Sequence, residues 1–202
     1  MKLYYVPQTR AGRPRWLLEE MEIPYELVRV DVANQANRTP EYLDLHPLRH
    51  VPVLVDGDAK IWESAAIIAY LADKYPDKKM APPPGSPARG RYYQWMFYAM
   101  AELEHPIHEW MMQTRVLPED KRSGEAQAAA RTKFDQVVTA LERELADGRQ
   151  FILGEAFSAA DVVLGATVGW ARVMKMLEGH PLVDAYAKRL SDRPASKRAR
   201  AD

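Results

Sequence analysis

HPLRHVPVLVDGDAKIWESAAIIAYLADKY, residues 46–75, holds two strands, a turn and a helix in thirty residues. Residues 52–55 and 60–62 are short apolar runs flanking Asp56-Gly57-Asp58, a hairpin turn signal. In residues 63–75, Ile68, Leu71, Ala72 and Tyr75 recur at i, i+3, i+4, i+7, one face of a helix. Upstream, Thr39-Pro40-Glu41 opens a short helix with Thr39 as its N-cap. Before it, residues 25–30 are β-rich, residues 13–21 read as a helix with Pro14 in its first turn, and residues 2–6 as a strand. The order βαβ, short helix, ββα predicts a mixed sheet with helices packed on it.

Downstream, the proline-rich residues 76–88 break the chain, and everything after them reads as helix. Residues 90–115 form one aromatic-rich helix that Pro106 is expected to kink. Residues 127–145 carry an apolar stripe of Ala130, Phe134, Val137, Val138, Leu141 and Leu145. Residues 158–174 are apolar nearly all round, the mark of a buried central helix. Ser158 and Asp161 have capping-box spacing there, with Phe157 and Val162 placed as a hydrophobic staple. Residues 181–190 close the bundle, and residues 196–202 read as a loose tail. The fold class is therefore α/β plus all-α: a mixed-sheet domain over residues 1–78, a linker over 79–87 and an all-helical domain over 88–202.

Composition excludes several function classes. The 202 residues carry 28 basic and 28 acidic side chains, no cysteine, and 47% apolar residues. The balance holds in both parts, with 11 basic and 12 acidic residues through residue 80 and the remaining 17 and 16 beyond it. Nucleic-acid binding demands a clustered basic excess, and none exists. Without cysteine there is no disulfide, zinc thiolate, iron–sulfur cluster or cysteine nucleophile. Any thiol chemistry needs a sulfur that arrives with a ligand. No run approaches the ~20 apolar residues of a membrane span and the start lacks a signal-peptide core, which reads as a cytoplasmic protein. The sequon Asn37-Arg38-Thr39 then reads as a chance match.

Three short segments could carry chemistry. Val51-Pro52 stands at a strand entrance, where proline reads either as an ordinary trans turn residue or as a cis bond that turns the Val51 backbone outward to an extended peptide. Glu63-Ser64 precedes a helix, so a hydroxyl and free N–H groups meet a positive helix end, either as a plain N-cap or as a carboxylate site. Thr9-Arg10 lies between the first strand and first helix, as a surface turn or as a second helix end facing a ligand. In the helical half, Glu102-x-x-His105 lacks the second copy that a carboxylate-bridged metal site needs, so no metal is expected. His105 and His108 remain as contacts to a second substrate or as helix-packing histidines.

Together these segments resemble a known family. Trp16-Leu17-Leu18-Glu19-Glu20, then Ile23-Pro24-Tyr25-Glu26-Leu27-Val28, is similar to the N-terminal domain of glutathione S-transferases. The same holds for residues 46–54 and for Glu63-Ser64-Ala65-Ala66-Ile67-Ile68-Ala69-Tyr70-Leu71, while the Ser158–Asp161 box stands at the family's usual place. The resemblance covers essentially the whole chain. It implies a thioredoxin-like domain followed by a helical domain, a homodimer, glutathione as co-substrate, and detoxification of small electrophiles.

Carried over, Val51 resembles the residue whose backbone pairs with the cysteinyl unit, and Pro52 the family's cis-proline. Glu63 and Ser64 resemble the pair holding the γ-glutamyl ammonium and carboxylate. His50 stands where a basic or amide residue meets the glycyl carboxylate, with Asn37 or Arg38 as alternatives. Thr9 falls where bacterial-type relatives place the sulfur-activating hydroxyl, and Tyr5 and Arg10 are the other groups in that stretch. Moving a thiol from ~8.5 to about 6.5 asks for roughly 2.7 kcal/mol. A Thr9 hydroxyl donating to a thiolate supplies about 1.5–3 kcal/mol, and the first helix N-terminus with Arg10 or Arg13 supplies the rest. The leading reading is a glutathione transferase; glutathione-dependent peroxide or disulfide reduction and a non-enzymatic binding protein are the alternatives.

Overall fold

The computed structural model describes residues 1–201. It divides into two compact units, Met1–Ala81 with residues 192–201, and Pro82–Ser191.

In the first unit β1 (Lys2–Tyr5), β2 (Glu26–Arg29), β3 (Val53–Asp56) and β4 (Ala59–Trp62) form one sheet in the order β2-β1-β3-β4. β1 is parallel to β2 and antiparallel to β3, and β3 is antiparallel to β4, the mixed sheet that the sequence predicts. Gly57 takes a φ of 60° in the turn between β3 and β4, a conformation that suits glycine. The register sets Leu27, Leu3, Leu54 and Ile61 in one row across the four strands. Side chains alternate along a strand, so this row faces one side and Tyr4, Val28 and Val53 face the other.

The helices α1 (Gly12–Met21) and α3 (Ser64–Lys74) pack on each other, and α3 on β3 and β4. They bury Trp16, Leu17, Leu18 and Met21 from α1 and Ile67, Ile68, Leu71 and Ala72 from α3. The α3 stripe begins one residue earlier than expected, at Ile67, and Tyr75 lies past the last turn as the C-cap. On the other face Tyr42 packs with Val30 and Val53. It comes from α2 (Pro40–Leu43), where the Thr39 hydroxyl accepts the Tyr42 N–H at 3.3 Å as an N-cap.

Residues 194–198 are a helix, not the loose tail expected for 196–202; Asp202 itself lies outside the described residues. This helix packs on α1. Arg193 donates to both Glu20 carboxylate oxygens at 2.6 and 2.8 Å, and Arg198 to Glu19 at 2.7 Å. The Trp16 indole N–H joins them, donating to Glu20 at 2.8 Å. Partners so distant along the chain leave no local periodicity, which is why the segment read as a tail of the helical half.

In the second unit α4 (Pro87–Tyr98) runs through a π turn, Ala99–Leu103, into α5 (Glu104–Met111) and a second π turn, Met112–Val116. The Glu104 N–H reaches back five residues to the Ala99 carbonyl. Pro106 cannot donate to the helix ladder, and the wider turn just before it takes up the irregularity that was expected as a kink. Buried Gln113 ties the chain after α5 to α6 (Gly124–Glu144), accepting the Ser123 N–H at 2.8 Å and donating to Glu109 at 2.9 Å. Ala130, Phe134, Val138 and Leu141 of the expected stripe are buried.

The next helix, α7 (Ala159–Val173), is buried along most of its length and packs on α4, α5 and α8 (Pro181–Ser191). Its capping box is present, and Phe157 meets the Phe151 ring edge-on at 5.5 Å. Asp161 is fully buried and accepts four hydrogen bonds: from Ile152 N–H (2.7 Å), Ser158 N–H (2.9 Å), Ser158 O–H (2.8 Å) and Tyr186 O–H (2.8 Å). Burial pushes the Asp161 carboxyl up from the ordinary range, against those donors. Asp161→Ala leaves them without an acceptor and is expected to cost about 3–5 kcal/mol, read as a lower urea midpoint. Asp161→Asn, which keeps one acceptor oxygen, is expected to cost less.

Candidate ligand site at one end of the sheet

Val53 pairs with Trp62 across the β3–β4 hairpin and with Tyr4 across β1 and β3. Val51-Pro52 directly precedes that residue, Glu63-Ser64 directly follows Trp62, and the turn with Thr9 and Arg10 follows β1. Two pairings therefore bring these three segments to one end of the sheet. The parallel strand β2 ends there too, and its loop is tied in by Asn37, whose amide donates to the Arg49 carbonyl at 2.9 Å. Arg38 and His50, both exposed, flank that bond in sequence.

Backbone strain collects at the same end. Seven non-glycine residues among those described have positive φ. Glu22, Lys79 and Lys175 sit at helix C-termini, where the left-handed conformation is common. The other four are Gln8 (58°), Gln35 (61°), Arg49 (61°) and Glu63 (69°), each in a loop at this edge of the sheet. Such residues cost about 1–3 kcal/mol each and gather where function requires a fixed backbone.

The Val51–Pro52 bond is cis, and no hydrogen bond among the described residues uses the Val51 N–H or C=O. Both are open to an extended chain. Glu63 is exposed and caps α3, whereas Ser64 opens α3 and is 2% exposed. Arg13, on the same α1 stripe as Trp16 and Leu17, is 3% exposed, and its Nη1 donates to Ser64 Oγ at 3.2 Å. No local pattern in the sequence pairs Arg13 with Ser64, although helical periodicity alone puts Arg13 on the buried side. The Thr9 hydroxyl is exposed, but it donates to the Val6 carbonyl at 2.7 Å and accepts the Ala11 N–H at 3.3 Å. Tyr5 is a half-buried strand residue with the Arg15 guanidinium 5.6 Å from its ring, and Arg10 is exposed.

His46 lies buried under this end, its ring 5.5 Å from His50 and 5.2 Å from Trp62. The Leu48 N–H donates to His46 Nδ1 at 3.1 Å, which leaves the ring proton on Nε2. Burial lowers the His46 pKa, the His50 ring adds to the effect, and Glu63 opposes it. His105 and His108 belong to α5 of the other unit; His105 is exposed and His108 meets the Trp170 ring edge-on at 6.4 Å. No cluster among the described residues has the three or more His, Asp or Glu groups that could hold a metal ion.

Residues 1–73 match the family domain described as glutathione S-transferase, N-terminal domain, and residues 124–191 the C-terminal domain of the same description. Glutathione S-transferase GST-4.5 of Xanthomonas campestris pv. campestris is 29% identical over 94% of this chain and 92% of that protein. BphK, a bacterial GST solved as a ternary complex, is 30% identical over 100% of this chain and 98% of its own, with a TM-score of 0.86. A sphingomonad glutathione S-transferase complexed with glutathione is 31% identical over 100% and 98%, with a TM-score of 0.84.

The His46 geometry has a pH consequence. The folded state favours the neutral ring, so this contribution is fully present above the unfolded value of ~6.5 and declines as pH falls below it. A proton titration followed by NMR is expected to find the His46 ring titrating below that value, with the Leu48 amide shifting in step.

Proposed function

The chain belongs to the glutathione S-transferase family, and from that premise we propose that its first unit binds glutathione and presents the sulfur as a thiolate to small apolar electrophiles. The observation that carries this reading is the register of Val53 with Tyr4 and Trp62, which sets an open Val51 backbone beside a helix end bearing Ser64. Glutathione is an extended tripeptide with a zwitterionic head. The Val51 N–H and C=O suit its cysteinyl backbone, the exposed Glu63 carboxylate suits the γ-glutamyl ammonium, and Ser64 with the α3 N-terminus suits the adjacent carboxylate. His50 or Arg38 serves the glycyl carboxylate.

The chemistry is deprotonation followed by displacement. The thiol proton leaves to solvent, the thiolate forms a carbon–sulfur bond, and the leaving group departs with the bonding electron pair. Catalysis is thiolate stabilisation plus proximity, without a general base. Thr9 supplies the hydroxyl donor. Its proton is already donated to Val6, so a thiolate must replace that bond. Exchanging a neutral bond of about 0.5–1.5 kcal/mol for a charged one of about 1.5–3 leaves roughly 1–1.5 kcal/mol, near one pKa unit. The α1 N-terminus and Arg10 add to it.

Tyr93 and Phe97, one turn apart on α4, are 39% and 68% exposed with their rings 6.3 Å apart. They support a homodimer, cytoplasmic in this reading, with the aromatic pair in its interface.

Conjugation of glutathione to an aryl halide, with a hydroperoxide assayed in parallel, tests the reaction class; transfer is expected to dominate. Thr9→Val is expected to move the pH–rate profile alkaline by about one unit. A shift in Tyr5→Phe alone would transfer the role to Tyr5, and no shift in either would leave it with backbone N–H groups and Arg10. In sedimentation at micromolar concentration the protein is expected to run at twice its 23.0 kDa mass, and Phe97→Asp to shift it toward monomer.

A further inference from the structure

Most of α7 is buried, but Ala166, Gly169, Trp170 and Val173 are each at least partly open. Their i, i+3, i+4, i+7 spacing makes them one stripe, and none is charged. α5 runs beside it: the His108 ring meets Trp170 edge-on at 6.4 Å. In the π turn after α5, the Arg115 guanidinium donates to the Val173 carbonyl at 3.1 Å. Apart from its chain neighbours and its own helix backbone, no atom lies within 4 Å of where a Gly169 β-carbon would stand. Glycine inside a helix is less favourable than alanine, and nothing packed here requires it. It leaves open space beside Trp170.

Charge decides what such a groove suits. Arg115 is exposed, always protonated, and pairs with no carboxylate among the described residues. The Val173 carbonyl uses one of its donors and leaves the rest of the planar fork. Nearby acids are engaged elsewhere. Glu102 pairs with Lys133 of α6 at 3.1 Å, Glu109 accepts from Gln113 at 2.9 Å, and Asp184 pairs with Arg172 at 2.7 Å. A cation without a counter-charge, at one end of an apolar stripe, matches a planar ring that carries an acid group.

We propose that the preferred electrophiles are aryl halides bearing a carboxylate, seated between α5 and α7 with the ring over Gly169 and Trp170 and the carboxylate on Arg115. The proposal rests on the transferase reading above and narrows its apolar electrophiles to acid-bearing aromatic ones. The bond changes are those of displacement. The thiol proton passes to solvent, the sulfur bonds the ring carbon, and halide leaves with the electron pair of the broken carbon–halogen bond. The carboxylate is unchanged and only fixes the ring, so Arg115 is a specificity residue.

The test compares a chlorodinitrobenzoate with uncharged chlorodinitrobenzene at saturating glutathione, each kcat/KM divided by its uncatalysed rate. Wild type is expected to favour the acid about tenfold. Arg115→Gln, which can still donate to the Val173 carbonyl, is expected to raise KM for the acid about tenfold and to leave the neutral substrate within about twofold. Gly169→Leu fills the groove and is expected to lower kcat/KM for both aryl halides about tenfold, with a methyl halide and glutathione affinity unchanged. If Arg115→Gln does not fold, high salt on wild type reads the same charge and is expected to erase the preference for the acid. No preference in wild type, a loss in Arg115→Gln shared equally by the neutral substrate, a preference that survives high salt, or full aryl halide activity in Gly169→Leu would overturn the proposal. Wild type that conjugates none of the three halides would remove the transferase reading and this inference with it. Turnover of the neutral aryl halide without preference for the acid removes this inference alone.

Discussion

One backbone pairing governs the ligand end of the molecule. Val53 lies between Tyr4 and Trp62 in the sheet, and a one-residue slip of β3 would carry Leu54 to the wrong face and move Val51 away from α3. The burial of Leu3 and Leu54 in one row, with Val53 on the opposite face beside Tyr42, holds the register against that slip. Core packing and ligand geometry are thus one constraint. The residues that bury the sheet are the same ones that set where its loops end.

With that register fixed, a chain of zero formal net charge gathers oriented groups rather than a charged field at its candidate site. The N-terminus of α3, the Arg13 guanidinium and the Ser64 hydroxyl converge, while the exposed Glu63 carboxylate stands beside them. Four non-glycine residues with positive φ hold the loops around this point. Their conformational cost is local, and the sheet and the α1–α3 packing beneath bear it. The lack of cysteine sharpens the division of labour: the protein supplies orientation and the ligand supplies sulfur.

Much of this was legible in the residues themselves. The hairpin at Asp56-Gly57-Asp58, the Thr39 cap and the Ser158–Asp161 box depend on neighbours within a few positions, and each appears where the spacing put it. The cis bond at Val51-Pro52 was open from the dipeptide alone and came with the family resemblance. Contacts between distant residues were not legible. Arg13 reaches Ser64 across 51 positions and Arg193 reaches Glu20 across 173, and no period along the chain encodes either. The Thr9 hydroxyl illustrates a different limit. Its place in the turn could be read, but the direction of its proton depends on the Val6 carbonyl, which only a backbone path defines.

The return of the helix over residues 194–198 to α1 makes the first unit discontinuous, with 110 residues of the second inserted between its parts. On the ribosome the sheet and α1 emerge early, yet the arginines that answer Glu19 and Glu20 follow only after that insertion. At roughly 5–20 residues per second the delay is on the order of ten seconds. During that interval Glu19 and Glu20 lack the arginine partners that the C-terminal helix later brings to α1. The first unit is thus begun first and finished last, and its closure reports that the intervening helices have already been made.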